Sequence, residues 1–285
     1  MKTKCIALFA GLILAGQALA VTLVDGLGNT VTLEQPAKRI VSLVPSATEV
    51  LFEVGAGDLI VGAVEWSNYP EAAKAIPRVG NSSKINTEAV LALNPDLIIW
   101  GWRNDQVDQL EGMGIQTLYM KPETFTGIEL SLRNAGIATG KEAAAQARIE
   151  EFSSTIAALR AEYANKAPVR TFYQISPTAP IYTVNNISFL HAIMEVCGAE
   201  NVFADTEGNS GYPPVSLEAV VEAAPDAIVM AARDDSFAEV WQGLTSIPAV
   251  ASQQFVKIAP DDISRPVPGL VKGATQMCEQ LDEFR

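Results

Sequence analysis

Histidine and cysteine are scarce: the 285 residues hold one of the former, His191, and three of the latter. No Cys/His cluster with metal-ligand spacing can be drawn from so few. His191 sits between Phe189 and Met194 in an apolar stretch, where a structural role is expected. Walker and dinucleotide-binding fingerprints are missing, and Gly208-Asn209-Ser210-Gly211 lacks the spacing of a nucleophile elbow. Carboxylate pairs remain possible, as in any acidic chain. Basic charge is also short, with 20 Lys and Arg against 33 Asp and Glu, a formal net charge of −13. Such a chain does not track a phosphate backbone, so nucleic acid is excluded as a partner. After the N-terminus no apolar run is long enough to span a bilayer.

The first twenty residues read as a targeting segment. Lys2 and Lys4 form a basic region, 6–15 an apolar stretch too short to cross a membrane, and Ala18-Leu19-Ala20 a small-x-small cleavage site. Cleavage after Ala20 leaves 265 residues, a net charge of −15 and an extracytoplasmic, most simply periplasmic, location. Cys5 leaves with that segment. Cys197 and Cys278 remain, an even pair in an oxidising compartment, and read as one disulfide. The alternative is two buried thiols. Closing a loop of 81 residues contributes roughly 4 to 5 kcal/mol in the chain-entropy model.

The chain repeats itself once. Glu88-Ala89-Val90 followed by Pro95-Asp96-Leu97-Ile98 returns 130 residues later as Glu218-Ala219-Val220 followed by Pro225-Asp226-Ala227-Ile228. Asn86 and Ser216 stand upstream as helix caps, so each copy predicts a helix, a turn and a strand. The strand runs 97–100 and 227–230 are almost wholly apolar, as in parallel sheets buried on both faces. Upstream, 39–44 and 170–175 read as strands, each leading to a helix, one ending at Gly55 and one over 187–197. Short strands follow at 59–64 and 201–204. Strands alternating with helices predict α/β architecture.

Between the halves, 141–167 has neither proline nor glycine, and Ile149, Phe152, Ile156, Leu159 and Tyr163 recur at helical spacing. A helix of about 25 residues would be roughly 37 Å long. It serves either as a rigid strut between two lobes or as a surface helix of one domain. Residues 21–33 read as a hairpin turning at 25–29.

Aromatic residues gather where strands give way to loops. Trp66 follows the strand at 59–64, Trp100 and Trp102 the strand at 97–99, and Tyr212 lies in the Gly/Pro-rich loop 208–214. Ligands of parallel α/β sheets sit beyond the carboxyl ends of the strands, and flat rings suit a large, rigid, partly apolar ligand. Trp100, which continues its strand, is equally readable as core. Arg103, and Asp261, Asp262 and Arg265 in an expected loop after the strand 255–258, offer polar contacts to such a ligand or are solvated charges.

Several stretches together resemble the helix-linked (class III) solute-binding proteins of ABC importers. They are the targeting segment, Arg39-Ile40-Val41-Ser42-Leu43 with Pro45-Ser46-Ala47-Thr48-Glu49, Asn94-Pro95-Asp96-Leu97-Ile98, the linking helix, and Glu195-Val196-Cys197-Gly198-Ala199-Glu200-Asn201. The Pro-Ser-Ala-Thr-Glu stretch and the surroundings of Cys197 point to the cobalamin-binding members. The resemblance implies two Rossmann-like α/β lobes joined by one long helix, with the ligand cleft between them. The N-terminal lobe would span 21–140, the linking helix 141–167 and the C-terminal lobe 168–285. It also implies the Cys197–Cys278 disulfide and ligand contacts at Trp66, Trp102 with Arg103 (or Trp100 in its place), Tyr212, Asp261 and Arg265. Glu88 and Glu218, equivalent acids at two helix starts, match docking glutamates that meet a permease dimer; either alone is also explained by the helix dipole. The expected protein is a periplasmic monomer that is not an enzyme and has no cofactor, cobalamin or a related corrinoid being cargo. Two alternatives stand. One is a haem or ferric-siderophore carrier of the same class, to which the N-terminal hairpin is more typical. The other is a secreted α/β enzyme, which explains only the targeting segment and the fold class.

Overall fold

The two halves that share a sequence repeat fold as two sheets of the same strand order. A computed structural model describes residues 20–81, 83–208 and 210–285; the expected targeting segment, apart from Ala20, lies outside them. The first half begins with the hairpin β1 (Val21–Val24) and β2 (Thr30–Leu33), paired antiparallel as expected. Then come β3 (Ile40–Ser42), α1 (Pro45–Glu53), β4 (Ile60–Ala63), α2 (Thr87–Ala92), β5 (Leu97–Trp100), α3 (Asp105–Gly112), β6 (Gln116–Tyr119) and α4 (Phe125–Thr139). The strands form a parallel sheet of order β4-β3-β5-β6.

After the linking helix α5 (Glu142–Tyr163), the second half runs β7 (Val169–Gln174), β8 (Ile181–Tyr182), α6 (Phe189–Val196), β9 (Ala199–Asn201), β10 (Pro214–Val215) and α7 (Leu217–Ala223). It continues through β11 (Ala227–Ala231), α8 (Ser236–Glu239), α9 (Pro248–Ala251), β12 (Phe255–Ile258), α10 (Pro260–Ile263) and α11 (Leu270–Asp282). Its parallel sheet, read from the other edge, is β9-β7-β11-β12, which matches the first strand for strand. In both, the first strand lies between the second and the third, so connections leave it in opposite directions. The carboxyl ends at that divide are where open α/β sheets bind ligands.

The repeated unit holds in detail. Asn86 Oδ1 accepts from Ala89 N at 3.0 Å, and Ser216 Oγ from Ala219 N at 3.1 Å. β5 is buried at every position and β11 at all but its last, as inner strands of parallel sheets should be.

α5 is shared between the two cores. Ala145 and Ile149 from its first half join the first lobe's core, whereas Phe152, Ile156, Leu159 and Tyr163 join the second's. At 22 residues it is roughly 33 Å long. α4 lies against it, entering through a turn at Gly140, whose φ of 69° caps α4. The close approach depends on Gly136, where a Cβ would come 2.5 Å from that of Ala145. The cores also interlock directly: Val267 is buried in the first and Ile128 in the second. Cys197 and Cys278 form a disulfide that ties α6 to α11.

Two expectations are corrected. The strand placed at 201–204 lies at Ala199–Asn201, because Asn201 ends it: its Oδ1 accepts from Phe203 N at 3.0 Å and its carbonyl from Ala204 N, closing a turn. The loop expected after β12 contains the short helix α10, started by Pro260 at its first position.

Candidate functional site

The carboxyl ends of both sheets face one pocket of about 330 Å³. From the first lobe come Val44, Pro45 and Ser46 at the start of α1, Trp102 after β5, and Lys121, Pro122 and Glu123 after β6. From the second come Phe189 at the start of α6, Tyr212, and Ser264, Arg265 and Pro266 between α10 and α11. The volume is at the low end of small-molecule sites, which run from about 300 to 1,000 Å³.

Trp102 is 48% exposed, and the Lys121 ammonium lies 5.1 Å from its ring centroid. Lys121 also pairs with Glu123 at 3.0 Å. Across the pocket, Tyr212 packs on the second core, and burial raises its hydroxyl above the usual pKa, so the ring presented to the pocket is neutral.

Trp66 lies in the loop after β4, outside the pocket lining, 77% exposed and with φ at 71°. A left-handed backbone costs a tryptophan roughly 1 to 3 kcal/mol and persists only where the surroundings over-determine it. They do so here. Asn68 N donates to the Trp66 carbonyl at 2.8 Å. Arg78 Nη2 donates to the Ser67 carbonyl at 2.9 Å, to Asn68 Oδ1 and to the Ala73 carbonyl. The Thr48 hydroxyl lies 2.9 Å from that of Ser42 and 3.1 Å from that of Ser67, all three residues buried. The loop thus fixes an exposed indole that contributes nothing to the core.

Arg265 carries the polar side of the pocket. It pairs with Glu49 of α1, across the lobes, and more distantly with Asp261, at 3.4 Å. The Tyr69 ring lies 5.7 Å from its guanidinium carbon. Asp261 also pairs with Arg233, and the two arginines, Arg233 foremost, hold its carboxyl below the usual range. Asp262 turns away to Lys272 at 2.8 Å.

Trp102, Tyr212 and Arg265 thus line one pocket, Asp261 joins it through Arg265, and Trp66 is not among its lining. Trp100 and Arg103 do not. Trp100 is 3% exposed, edge-on to Tyr119 in the core between the sheet and α3, because alternation along β5 points its side chain to that face. Arg103 lies over the Trp100 ring, pairs with Asp108 and Glu111 at 2.6 Å each, and borders a separate groove beside the hairpin. His191 contacts Asn201 and Glu195, outside the pocket lining. Sequence reasoning missed Glu49, Tyr69, Lys121 and Phe189. Tyr69 had a visible signal, an aromatic three residues after Trp66. The other three acquire meaning only once the lobes face each other.

Glu88 and Glu218 are exposed in the first turns of α2 and α7, equivalent helices of the two lobes. The Glu218 carboxyl is held below its usual range by its own backbone N–H and by the Ser216 hydroxyl.

Comparison with known proteins agrees with this architecture. The family model for periplasmic binding protein matches residues 40–260. A vitamin B12-binding protein of Vibrio campbellii is 32% identical over 254 residues, covering 88% of this chain and 91% of the relative. The crystal structure of the periplasmic vitamin B12 binding protein BtuF of Vibrio cholerae superposes with a TM-score of 0.78 at 30% identity, covering 87% of this chain and 98% of that one. The periplasmic heme binding protein HutB of the same organism shares the fold, with a TM-score of 0.76 at 22% identity, covering 85% and 98%.

Proposed function

The chain belongs to the periplasmic binding protein family, and from that premise we propose that it captures cobalamin, or a related corrinoid, and delivers it to the permease of an ABC importer. The observation that carries this is the pocket at the carboxyl ends of both sheets, joining Trp102 of one lobe to Tyr212 and Arg265 of the other. A corrin is broad and flat with a rim of carboxamides. Trp66, Trp102 and Tyr212 supply faces for such a ring, while Asp261 and Arg265 supply an acceptor and a donor for the rim. No bond of the ligand is made or broken: the protein is a carrier, not an enzyme, and the corrinoid is its cargo.

The three parts have separate work. The lobes, 21–140 and 168–285, each give one wall, and the helix over 141–167 holds them apart. Because α5 and the residues Ile128 and Val267 tie the two cores together, the cleft is expected to open and close little. The targeting segment is removed after Ala20, the mature protein works in the periplasm as a monomer, and the disulfide suits that compartment. Glu88 and Glu218, one per lobe on equivalent exposed helix starts, would meet matching basic residues on two like permease subunits.

Calorimetry of the mature protein with cyanocobalamin tests the proposal. One site per chain is expected. Absence of binding at high micromolar concentration, together with tight binding of haem or a ferric siderophore, would transfer the protein to the alternative carrier class.

A further inference from the structure

One buried carboxylate beside the pocket has no part in the function described so far. Glu49 is 4% exposed in α1 and is not among the residues that line the pocket, whereas its partner Arg265 is. Its carboxylate contacts Arg265 Nε, the one ion pair among the described residues that joins α1 to the opposite lobe's α10–α11 connection. Resting on the corrinoid-binding role above, we propose that Glu49 is a positioning and specificity-determining residue: it holds Arg265 and cancels its charge, so that the pocket prefers ligand carboxamides to carboxylates.

The charges facing this pair come from four elements. Arg265 meets Glu49 from α1 and Asp261 from α10, and Asp261 meets Arg233 after β11. Glu53, one turn along α1 from Glu49, is taken up by Arg148 of α5 at 2.7 Å, and Arg148 also pairs with Glu151. The Tyr69 ring covers another side of the guanidinium. Around the pocket, Glu49, Asp261, Arg265 and Arg233 sum to zero formal charge. Arg265 Nη1 and Nη2 each donate to Asp261 at 3.4 Å, and their second N–H groups remain donors, but with little net field to attract an anion. A neutral amide carbonyl satisfies such a donor. A ligand carboxylate there would meet two protein carboxylates already sharing the same cation, and one would have to take up a proton.

Glu49 is suited to be that one. Burial raises its pKa from 4.5 to about 7, against the lowering effect of Arg265. Above pH 7 it is ionised and Arg265 is neutralised. Below pH 7 it is protonated, the local charge becomes +1, and a ligand carboxylate is accepted. Binding of a carboxylate ligand should therefore strengthen as pH falls through about 7, while binding of the all-amide ligand should stay flat.

The test is calorimetry of wild type and Glu49→Gln with cyanocobalamin and with its three monocarboxylic acids, in which one propionamide is hydrolysed, at pH 6 and pH 8. In wild type at pH 8, at least one acid isomer is expected to bind tenfold or more weakly than cyanocobalamin, and the gap should shrink at least threefold at pH 6. Glu49→Gln should bind the discriminated acid nearly as well as it binds cyanocobalamin, and lose the pH effect. Equal affinity of wild type for cyanocobalamin and all three acids at pH 8 overturns the role given to Glu49 and leaves the functional proposal standing. So does discrimination unchanged in Glu49→Gln. If that variant does not fold, the wild-type pH profile alone decides, a flat profile for every acid refuting the role. A wild type that binds no corrinoid overturns the functional proposal, and this one with it.

Discussion

The two lobes share a strand order, a capped helix–turn–strand unit and a position for one exposed glutamate, yet they finish the cleft differently. The first lobe offers indoles: Trp66, held in a strained loop, and Trp102, beside Lys121. The second offers a half-buried tyrosine and charges, Tyr212, Asp261 and Arg265. The first lobe carries an extra hairpin, and the second a disulfide. Parts that face the cores have stayed alike because buried parallel strands tolerate few shapes. Parts beyond the strand ends differ, and the two walls of the pocket are accordingly unlike. Among the described residues one ion pair, Glu49 with Arg265, joins the walls and couples the halves where they differ.

Substitutions that treat the lobes as equals should break the comparison where it is functional. The largest effect is expected for Glu88→Arg with Glu218→Arg. Like charges facing across an interface cost several kcal/mol, so reconstituted uptake should be abolished while ligand affinity stays within about twofold. Normal uptake would leave both residues as helix-terminus acids. Next comes the disulfide, which only one lobe possesses: replacing Cys197 and Cys278 with serine should cost about 2 to 5 kcal/mol in denaturant unfolding, with little change in affinity. Trp102→Ala removes an anchor of about 2 kcal/mol and should weaken cyanocobalamin binding roughly thirtyfold. Arg103→Ala, one residue on but outside the pocket lining, should change binding less than twofold. The smallest effects sharpen the symmetry. Asn86→Ala and Ser216→Ala each remove one helix cap, and each should lower stability by about 1 kcal/mol. Clearly unequal costs would mean that the two copies have ceased to be energetically equivalent.

The repeat made much of this fold legible. Asn86 and Ser216 as caps, β5 and β11 as buried parallel strands, and α5 as a long helix follow from local pattern, because capping and burial are dictated by neighbours in the chain; that both cores share α5 shows only in the fold. The strand after α6 was misplaced because Asn201 ends it with a side-chain turn that no hydrophobic period records. Exposure alone does not decide which candidate residues were legible: Tyr69 is 51% exposed and Trp102 48%, yet only Trp102 was singled out. Trp66, Trp102 and Tyr212 announce themselves as large aromatics at loop starts. Trp100 carries the same letter as Trp102 but is the last residue of β5 and points into the core, whereas Trp102, two residues on, lies beyond the strand, where its alternation no longer applies. Glu49 lay in plain view within the Pro-Ser-Ala-Thr-Glu stretch. Its partner is 216 positions away in the other lobe, and no local pattern connects them.

A crystal structure of the mature protein grown with cyanocobalamin tests the central claim most directly. The account predicts one corrin between the lobes, its ring against Trp102 and Tyr212, Trp66 over its edge, and a rim carboxamide oxygen accepting from Arg265 while Glu49 keeps its contact with that arginine. A corrin bound elsewhere on the protein, or a cleft left empty at saturating ligand, would contradict it.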